Sequence, residues 1–351
     1  MLDDVDRRIV AALAVNGRAT WGQVARCVGV SETTAARRVQ RLCDARLMRI
    51  VGVPDPLACG FGQPVLVHLR CAPGAVRRVA SRLAERADAR FVAILAGPSD
   101  VVVELIATDR QHLTRILVDE VQAIDGVRET STETVLRTFK MSFDWSRGLL
   151  GERTGELAPV PVKAAKGPVP LEDVDLALIA ELAVDGRSSY AELAAALGIS
   201  ESMTARRVTA LVSRGCVGFA PVIDPALVGY STEAFIRLRV DLPQLEEAAA
   251  TLCQHPPARY VSATTGDSDL VCEVVLPDSD ALYLFVTETL AALPGLRRVE
   301  TAMELQTLKR AFRPRAPATA SAPASRAGTG STGSTDSTGS RAAGNGTDSR
   351  A

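Results

Sequence analysis

Two short segments, one in each half of this 351-residue chain, carry the side chains best suited to chemistry. The first runs Ser31-Glu32-Thr33-Thr34-Ala35-Ala36-Arg37-Arg38, with Arg41 a turn further on. The second runs Ser200-Glu201-Ser202-Met203-Thr204-Ala205-Arg206-Arg207. A serine ahead of a helical run is a good N-cap, because its hydroxyl satisfies a backbone N–H that the helix leaves unpaired. Hydroxyls and guanidinium groups on the outer face of such a helix are the groups that read base edges and hold phosphates. Ser31, Glu32, Thr33, Thr34, Arg37, Arg38 and Arg41 are therefore candidates for contact with double-stranded DNA, as are Ser200, Ser202, Met203, Arg206 and Arg207. An arginine-rich helix face can also be merely solvated; its recurrence behind the same serine favours binding.

Other chemistry finds little support. The seven cysteines are scattered with no C-x-x-C pair, which argues against a disulfide framework and a zinc site. His68, His112 and His255 form no ligand-spaced cluster, so neither metal nor cofactor is expected. No apolar run is long enough to cross a bilayer as a helix, and the N-terminus has no secretory pattern. A cytoplasmic protein without membrane spans is expected.

The elements that position these segments are duplicated. Laid so that Leu2 falls on Leu171, the stretch from Leu2 to Phe61 repeats without a gap and with 23 identities. The same offset persists: Arg90-Phe91-Val92 falls on Arg259-Tyr260-Val261, and Gly97-Pro98-Ser99-Asp100 on Gly266-Asp267-Ser268-Asp269. The stretch GERTGELAPVPVKAAKGPVP between the copies has linker composition, and the Ala/Ser/Thr/Gly tail has too few large apolar residues to bury. The expected domains are 1–60 and 170–229 (helix-turn-helix), 64–143 and 233–312 (α/β), a linker over 144–169 and a disordered tail over 313–351.

In each copy an acidic-headed helix ends at Gly17 or Gly186. A short helix follows, and a tight turn then leads to the serine-capped helix. Two short helices so joined let the second lie in the major groove. From Pro64 the apolar period changes to that of strands, and the order becomes β-α-β-β-α-β, a ferredoxin-like arrangement, with the last strand ending near Leu136. Four strands with helices on one face leave the other face uncovered, so the two sheets are expected to cover each other as an intrachain pseudo-dimer.

The total charge of −1 hides an asymmetry. Leu2–Val53 holds nine arginines and five acids, whereas Leu171–Val222 holds four arginines and seven acids. Since phosphate contacts supply most non-specific affinity, the first copy should bind DNA more strongly.

The LDDVDRRIVAAL opening, the VGVSETTAARRVQRL segment, the VPDP…G hinge and the G-x-x-D turn together resemble the Lrp/AsnC family of feast/famine regulators, with the usual single unit present twice. The resemblance implies an α/β (α+β) fold of two winged-type helix-turn-helix domains and two RAM-type domains. It also implies a DNA-binding transcription regulator, not an enzyme, whose RAM domains mediate association and bind an amino acid or related small effector. Carried over by motif, the effector site would involve Gly97, Ser99 and Asp100, and Gly266, Ser268 and Asp269, although such residues also shape plain hairpins. Fusion of two units leaves the further homo-oligomer open. Two alternatives share the architecture: a siroheme decarboxylase-like enzyme, for which only His112 and His255 lie in suitable positions, and a sensing or oligomerisation module with weakened DNA binding.

Overall fold

The computed structural model describes residues 2–157, 167–311 and 313–314; the centre of the expected linker, 158–166, and the expected disordered tail from 315 onward lie outside the described residues. The first head is built from α1 (Asp4–Val15), α2 (Trp21–Val28) and α3 (Glu32–Asp44). Each starts where a side chain satisfies a free N–H: Asp3 accepts from Asp6 N, Thr20 and Gln23 form a reciprocal capping box, and Ser31 accepts from Thr34 N. Ile9, Leu13, Val24, Val28, Val39 and Leu42 close its core. Strand β1 (Met48–Pro54) follows.

The first sheet comprises β2 (Gln63–Cys71), β3 (Ala89–Ala96), β4 (Val101–Ala107) and β5 (Val127–Met141), with helices α4 (Val76–Ala84) and α5 (Arg110–Thr114) on one face. The second unit repeats the plan. Its head has α6 (Asp173–Val184), α7 (Tyr190–Leu197), α8 (Glu201–Ser213) and strand β6 (Val217–Ile223). Its sheet has β7 (Thr232–Val240), β8 (Ala258–Thr264), β9 (Leu270–Leu276) and β10 (Leu296–Arg310), with α9 (Leu245–Gln254) and α10 (Ser279–Leu284).

The two sheets do more than cover each other. Strand β5 pairs with β2 as far as Thr134 and then, from Val135 to Met141, with β8 of the other unit. Strand β10 does the same with β7 and then β3. The eight strands thus close into a ring with no free edge among the described residues, which removes the exposed backbone that invites aggregation. This is why β5 runs past the expected end at Leu136 to Met141: its second half belongs to the seam. Leu66, Phe91, Leu95 and Val135 meet Phe235, Tyr260, Val271 and Ala302 inside the ring, while the helices cover the outer faces.

Inside the ring lies a buried ionic cluster. Arg90 pairs with Glu104, and at the equivalent positions of the second unit Arg259 pairs with Glu273. The second unit adds Glu233, 2.8 Å from Arg259, and Arg310, which reaches Glu273 at 2.7 Å and Glu304 at 3.3 Å. Burial alone would raise the Glu273 carboxyl, but the Arg259 and Arg310 charges hold it well below the usual carboxylate range. Glu304 shifts the other way: burial first, then the Glu273 charge, push it well above the ordinary value. The folded chain therefore keeps a proton on Glu304 that the unfolded chain has lost. Stability should fall as pH rises from the ordinary carboxylate range toward the raised value. Glu304→Gln is expected to flatten that fall and raise Tm at neutral pH; parallel Tm–pH curves for the two proteins would refute it.

The heads are also tied together. The strand that follows each recognition helix, which a winged helix would expose, pairs instead with its counterpart: β1 and β6 run antiparallel, with Val51 opposite Ala220, its own equivalent in the repeat. Arg18 donates to the carbonyls of Gly186 and Ser188 at 3.0 and 2.9 Å, and Arg187 to those of Gly17 and Ala19 at 2.8 and 3.0 Å. Arg187 lies 4.0 Å above the Trp21 ring and Arg18 5.2 Å above Tyr190. Gly17 and Gly186 serve this contact rather than stopping a helix through a left-handed residue. A Cβ at Gly17 would sit 2.9 Å from Phe219, and one at Gly186 2.7 Å from the Val51 backbone.

The expected linker needs correction. Asp144–Leu157 is a chain of tight helical turns, kinked at Gly151, that buries Trp145, Leu150 and Leu157 in the core of the first head. Trp145 also meets Tyr230 of the second unit edge-on at 5.0 Å. Composition concealed this, because a tryptophan and three leucines do the anchoring, with Leu149 only partly buried. The first two residues of the expected tail likewise form a short strand, β11 (Arg313–Pro314), against β10.

Candidate nucleic-acid interface

Each recognition segment forms a thirteen-residue helix, α3 and α8, behind the serine caps. Ser31 Oγ lies 2.8 Å from Thr34 Oγ1 and 3.1 Å from Thr33 Oγ1, so the cap orders a row of hydroxyls at the helix start. Ser200 pairs with Ser202 in the same way at 3.3 Å and accepts from Met203 N. Glu32, Thr33 and Arg37 are exposed, as are Glu201, Ser202 and Arg206; Thr34 and Met203 are half-buried.

The twin arginines do not share a role. Arg38 turns back toward α1, donating to Asp6 at 2.9 Å and Asp3 at 2.5 Å. Arg207 does the same to Asp175 at 2.9 Å and Glu172 at 2.7 Å. These pairs lower the Asp3 carboxyl, chiefly through the hydrogen bond from Arg38. Arg38 and Arg207, both expected to face DNA, brace the recognition helix against the first helix. Arg41 also donates to Asp6, at 2.6 Å, but remains largely exposed. Arg37 and Arg206 make no ion pair among the described residues and point to solvent. The second head has Ala210 where the first has Arg41.

The turn residues proposed for an effector divide similarly. Asp100 Oδ2 accepts from Cys71 N at 2.7 Å, and Asp269 Oδ2 from Val240 N at 3.0 Å, so both carboxylates fasten their hairpin turns to the neighbouring strand. In each case one carboxylate oxygen serves the turn itself. Gly97 packs so closely that a Cβ would lie 2.7 Å from Ala302 Cβ; Gly266 adopts φ +95°. Ser99 is half-buried, whereas Ser268 is buried and donates to Glu133 Oε1 at 2.8 Å.

A cavity of ≈ 180 Å³ opens at the second turn, lined by Arg237, Leu238, Arg239, Asp267, Ser268, Arg298 and Glu300. Arg237 is held between Glu133 and Glu300, the latter at 2.7 Å, while Arg239 donates to the Asp267 carbonyl at 2.7 Å and Arg298 lies 3.4 Å from Glu300. Burial raises the Glu133 carboxyl, but His68 and Arg237 beside it outweigh that and lower it. The equivalent positions in the first unit are His68, Arg70, Pro98, Glu129 and Ser131, which strip most of this positive charge. Sequence reasoning missed these arginines; the signal was Arg237 standing where the first copy has His68.

The histidines weighed for an enzyme are engaged locally. His112 Nδ1 lies 3.2 Å from Thr108 N, and the His255 ring stands edge-on to Phe285. All seven cysteines are free. No helix among the described residues is long and apolar enough to cross a membrane.

Comparison with known proteins gives two family models, each matching twice. The AsnC-type helix-turn-helix domain covers residues 2–42 and 171–212, and the Lrp/AsnC ligand binding domain covers 64–145 and 233–314. The HTH-type transcriptional regulator FL11 of Pyrococcus horikoshii is 32% identical over 142 residues, which are 40% of this chain and 93% of that protein. The regulator Ptr1 of Methanocaldococcus jannaschii is 29% identical over 140 residues, 40% of this chain and 95% of its own length. Among solved structures, the siroheme decarboxylase NirDL covers 90% of this chain and 95% of its own, with a TM-score of 0.56 and 13% identity. At that identity the likeness concerns the fold alone.

Proposed function

Since this chain belongs to the Lrp/AsnC family, with both of the family's domains present twice, we propose that it is a sequence-specific, DNA-binding transcriptional regulator acting in the cytoplasm. The observation that carries the reading is the pair of serine-capped helices, each with one unpaired arginine, held in a fixed pseudo-two-fold relation by β1–β6 pairing and the Arg18–Arg187 lock. Such a clamp suits two successive major grooves, so one chain supplies both readers of an operator. Ser31, Thr33, Thr34, Arg37 and Arg41 are the first head's contacts; Ser200, Ser202, Met203 and Arg206 are those of the second. The second head, with Ala210 for Arg41 and an acidic surface, reads its half-site more weakly. Mapping bound sites across the genome, with and without candidate amino acids, should give discrete upstream sites whose occupancy responds to one of them. A flat profile in every condition would count against the reading.

The effector reading rests on the cavity at the second turn. Arg239 and Arg298 offer donors to a carboxylate, and Asp267 and Glu300 face them as acceptors for an ammonium group. Arg239→Ala should abolish calorimetrically detected binding of the responsive amino acid while leaving duplex affinity in its absence unchanged. Retention of ligand binding would move the site elsewhere.

A further inference from the structure

The segment Asp144–Leu157 behaves as a strap across one head only. Its buried anchors Trp145, Leu150 and Leu157 enter the core formed by α1, α2 and α3. The corresponding stretch after the second unit, from Arg313 onward, has neither the tryptophan nor the paired leucines. In sequence, therefore, the duplication does not repeat the strap's anchors.

Its path ends beside the turn that leads into the recognition helix. Cys27, in α2, donates through its thiol to the Arg153 carbonyl at 3.4 Å, which pins the strap backbone there. The Arg153 guanidinium then reaches Gly29: a Cβ at that glycine would lie 3.4 Å from Arg153 Nη1. Gly29 stands just ahead of the Ser31 cap. At the equivalent Gly198 no described residue comes within 4 Å of such a Cβ. Arg153 is exposed and makes no ion pair among the described residues, whereas the neighbouring Arg147 is 3.3 Å from Asp144. The strap sequence holds three acids and two arginines, so the position of this one guanidinium, not the charge of the segment, is what matters.

We propose that the strap is a third element of the first DNA-binding head, and that Arg153 contacts a phosphate of the duplex beside the turn before Ser31. The inference rests on the DNA-binding reading above. A guanidinium fixed at the entrance to the recognition helix can grip the backbone while the helix start lies in the groove. It adds to the first head a contact the second lacks, deepening the inequality between them.

The test uses the full chain and a mixed-sequence duplex of about 30 base pairs, titrated between about 50 and 200 mM salt. Each neutralised phosphate contributes about 0.9 to the slope of log affinity against log salt. Arg153→Ala should lower affinity severalfold and make the slope shallower by about that amount. Arg153→Lys should retain the slope, and Arg147→Ala should match the wild type. Because the Arg153 side chain is exposed, the Tm of Arg153→Ala should stay unchanged. An unaltered slope in Arg153→Ala, or an equal loss in Arg147→Ala, overturns the inference and leaves the DNA-binding reading standing. A wild-type chain that binds no duplex overturns both.

Discussion

Arg37→Ala is expected to weaken duplex binding by about 1–3 kcal/mol, roughly five- to 160-fold, without changing Tm. Arg38→Ala, one residue along, is expected to lower Tm, with loss of binding only in proportion to loss of fold. The difference follows from where each guanidinium goes. Arg37 is exposed and unpaired among the described residues, so its removal costs the folded chain nothing and the bound state a contact. Arg38 bridges Asp3 and Asp6, and Asp6 is almost fully buried between α1 and α3. Removing Arg38 leaves that carboxylate to Arg41 alone. The same comparison in the second head, Arg206→Ala against Arg207→Ala, should show a smaller effect on binding. If Arg206→Ala weakened binding more than Arg37→Ala, the assignment of the stronger head would be reversed. Thermal unfolding and fluorescence anisotropy on the same four proteins separate the two effects.

The second large effect lies in the ring. Arg259→Ala is expected to destabilise the chain by about 3–5 kcal/mol, because it removes the guanidinium that pairs with the buried Glu273 and also with Glu233. Glu273→Ala should be costly for the converse reason, leaving the buried Arg259 and Arg310 guanidinium groups with one carboxylate fewer between them. The double substitution should cost clearly less than the sum, since each change removes the charge that the other leaves unpaired. Three carboxylates, Glu233, Glu273 and Glu304, lie close enough to share a cation, but Arg259 and Arg310 already fill that place. Denaturant unfolding of the two single variants and the double variant measures the coupling; strict additivity would contradict the account.

Much of this architecture was legible in the residues. The constant offset between the copies predicts that what one unit builds the other repeats, and the strand registers obey it: Val135 opposite Thr264 has its counterpart in Glu304 opposite Leu95. Caps and periodicity place α1, α2 and α3 because those signals are local. What sequence could not show was decided by distant partners. Arg37 and Arg38 look alike on an isolated helix; only the docking of α1 separates the solvent-facing guanidinium from the brace. The hydrogen bonds that Asp100 and Asp269 accept from Cys71 N and Val240 N come from strands 29 residues away and leave no mark in the local sequence. The strap escaped notice because four anchors in one irregular segment give no period, and their hydrophobic partners belong to another element. The arginine-lined cavity arises where the two copies differ, at the positions that comparison by identity passes over.

The grip on duplex DNA that we propose for the exposed face of α3 is open to direct measurement. A salt titration of the wild type and Arg37→Ala on duplex DNA from upstream of the chain's own reading frame tests it most directly. The account predicts tight wild-type binding at about 50 mM salt, a log–log decline that is steep and linear, and a weaker, shallower line for Arg37→Ala. A wild type that fails to bind at low salt, or two superimposed lines, would contradict it.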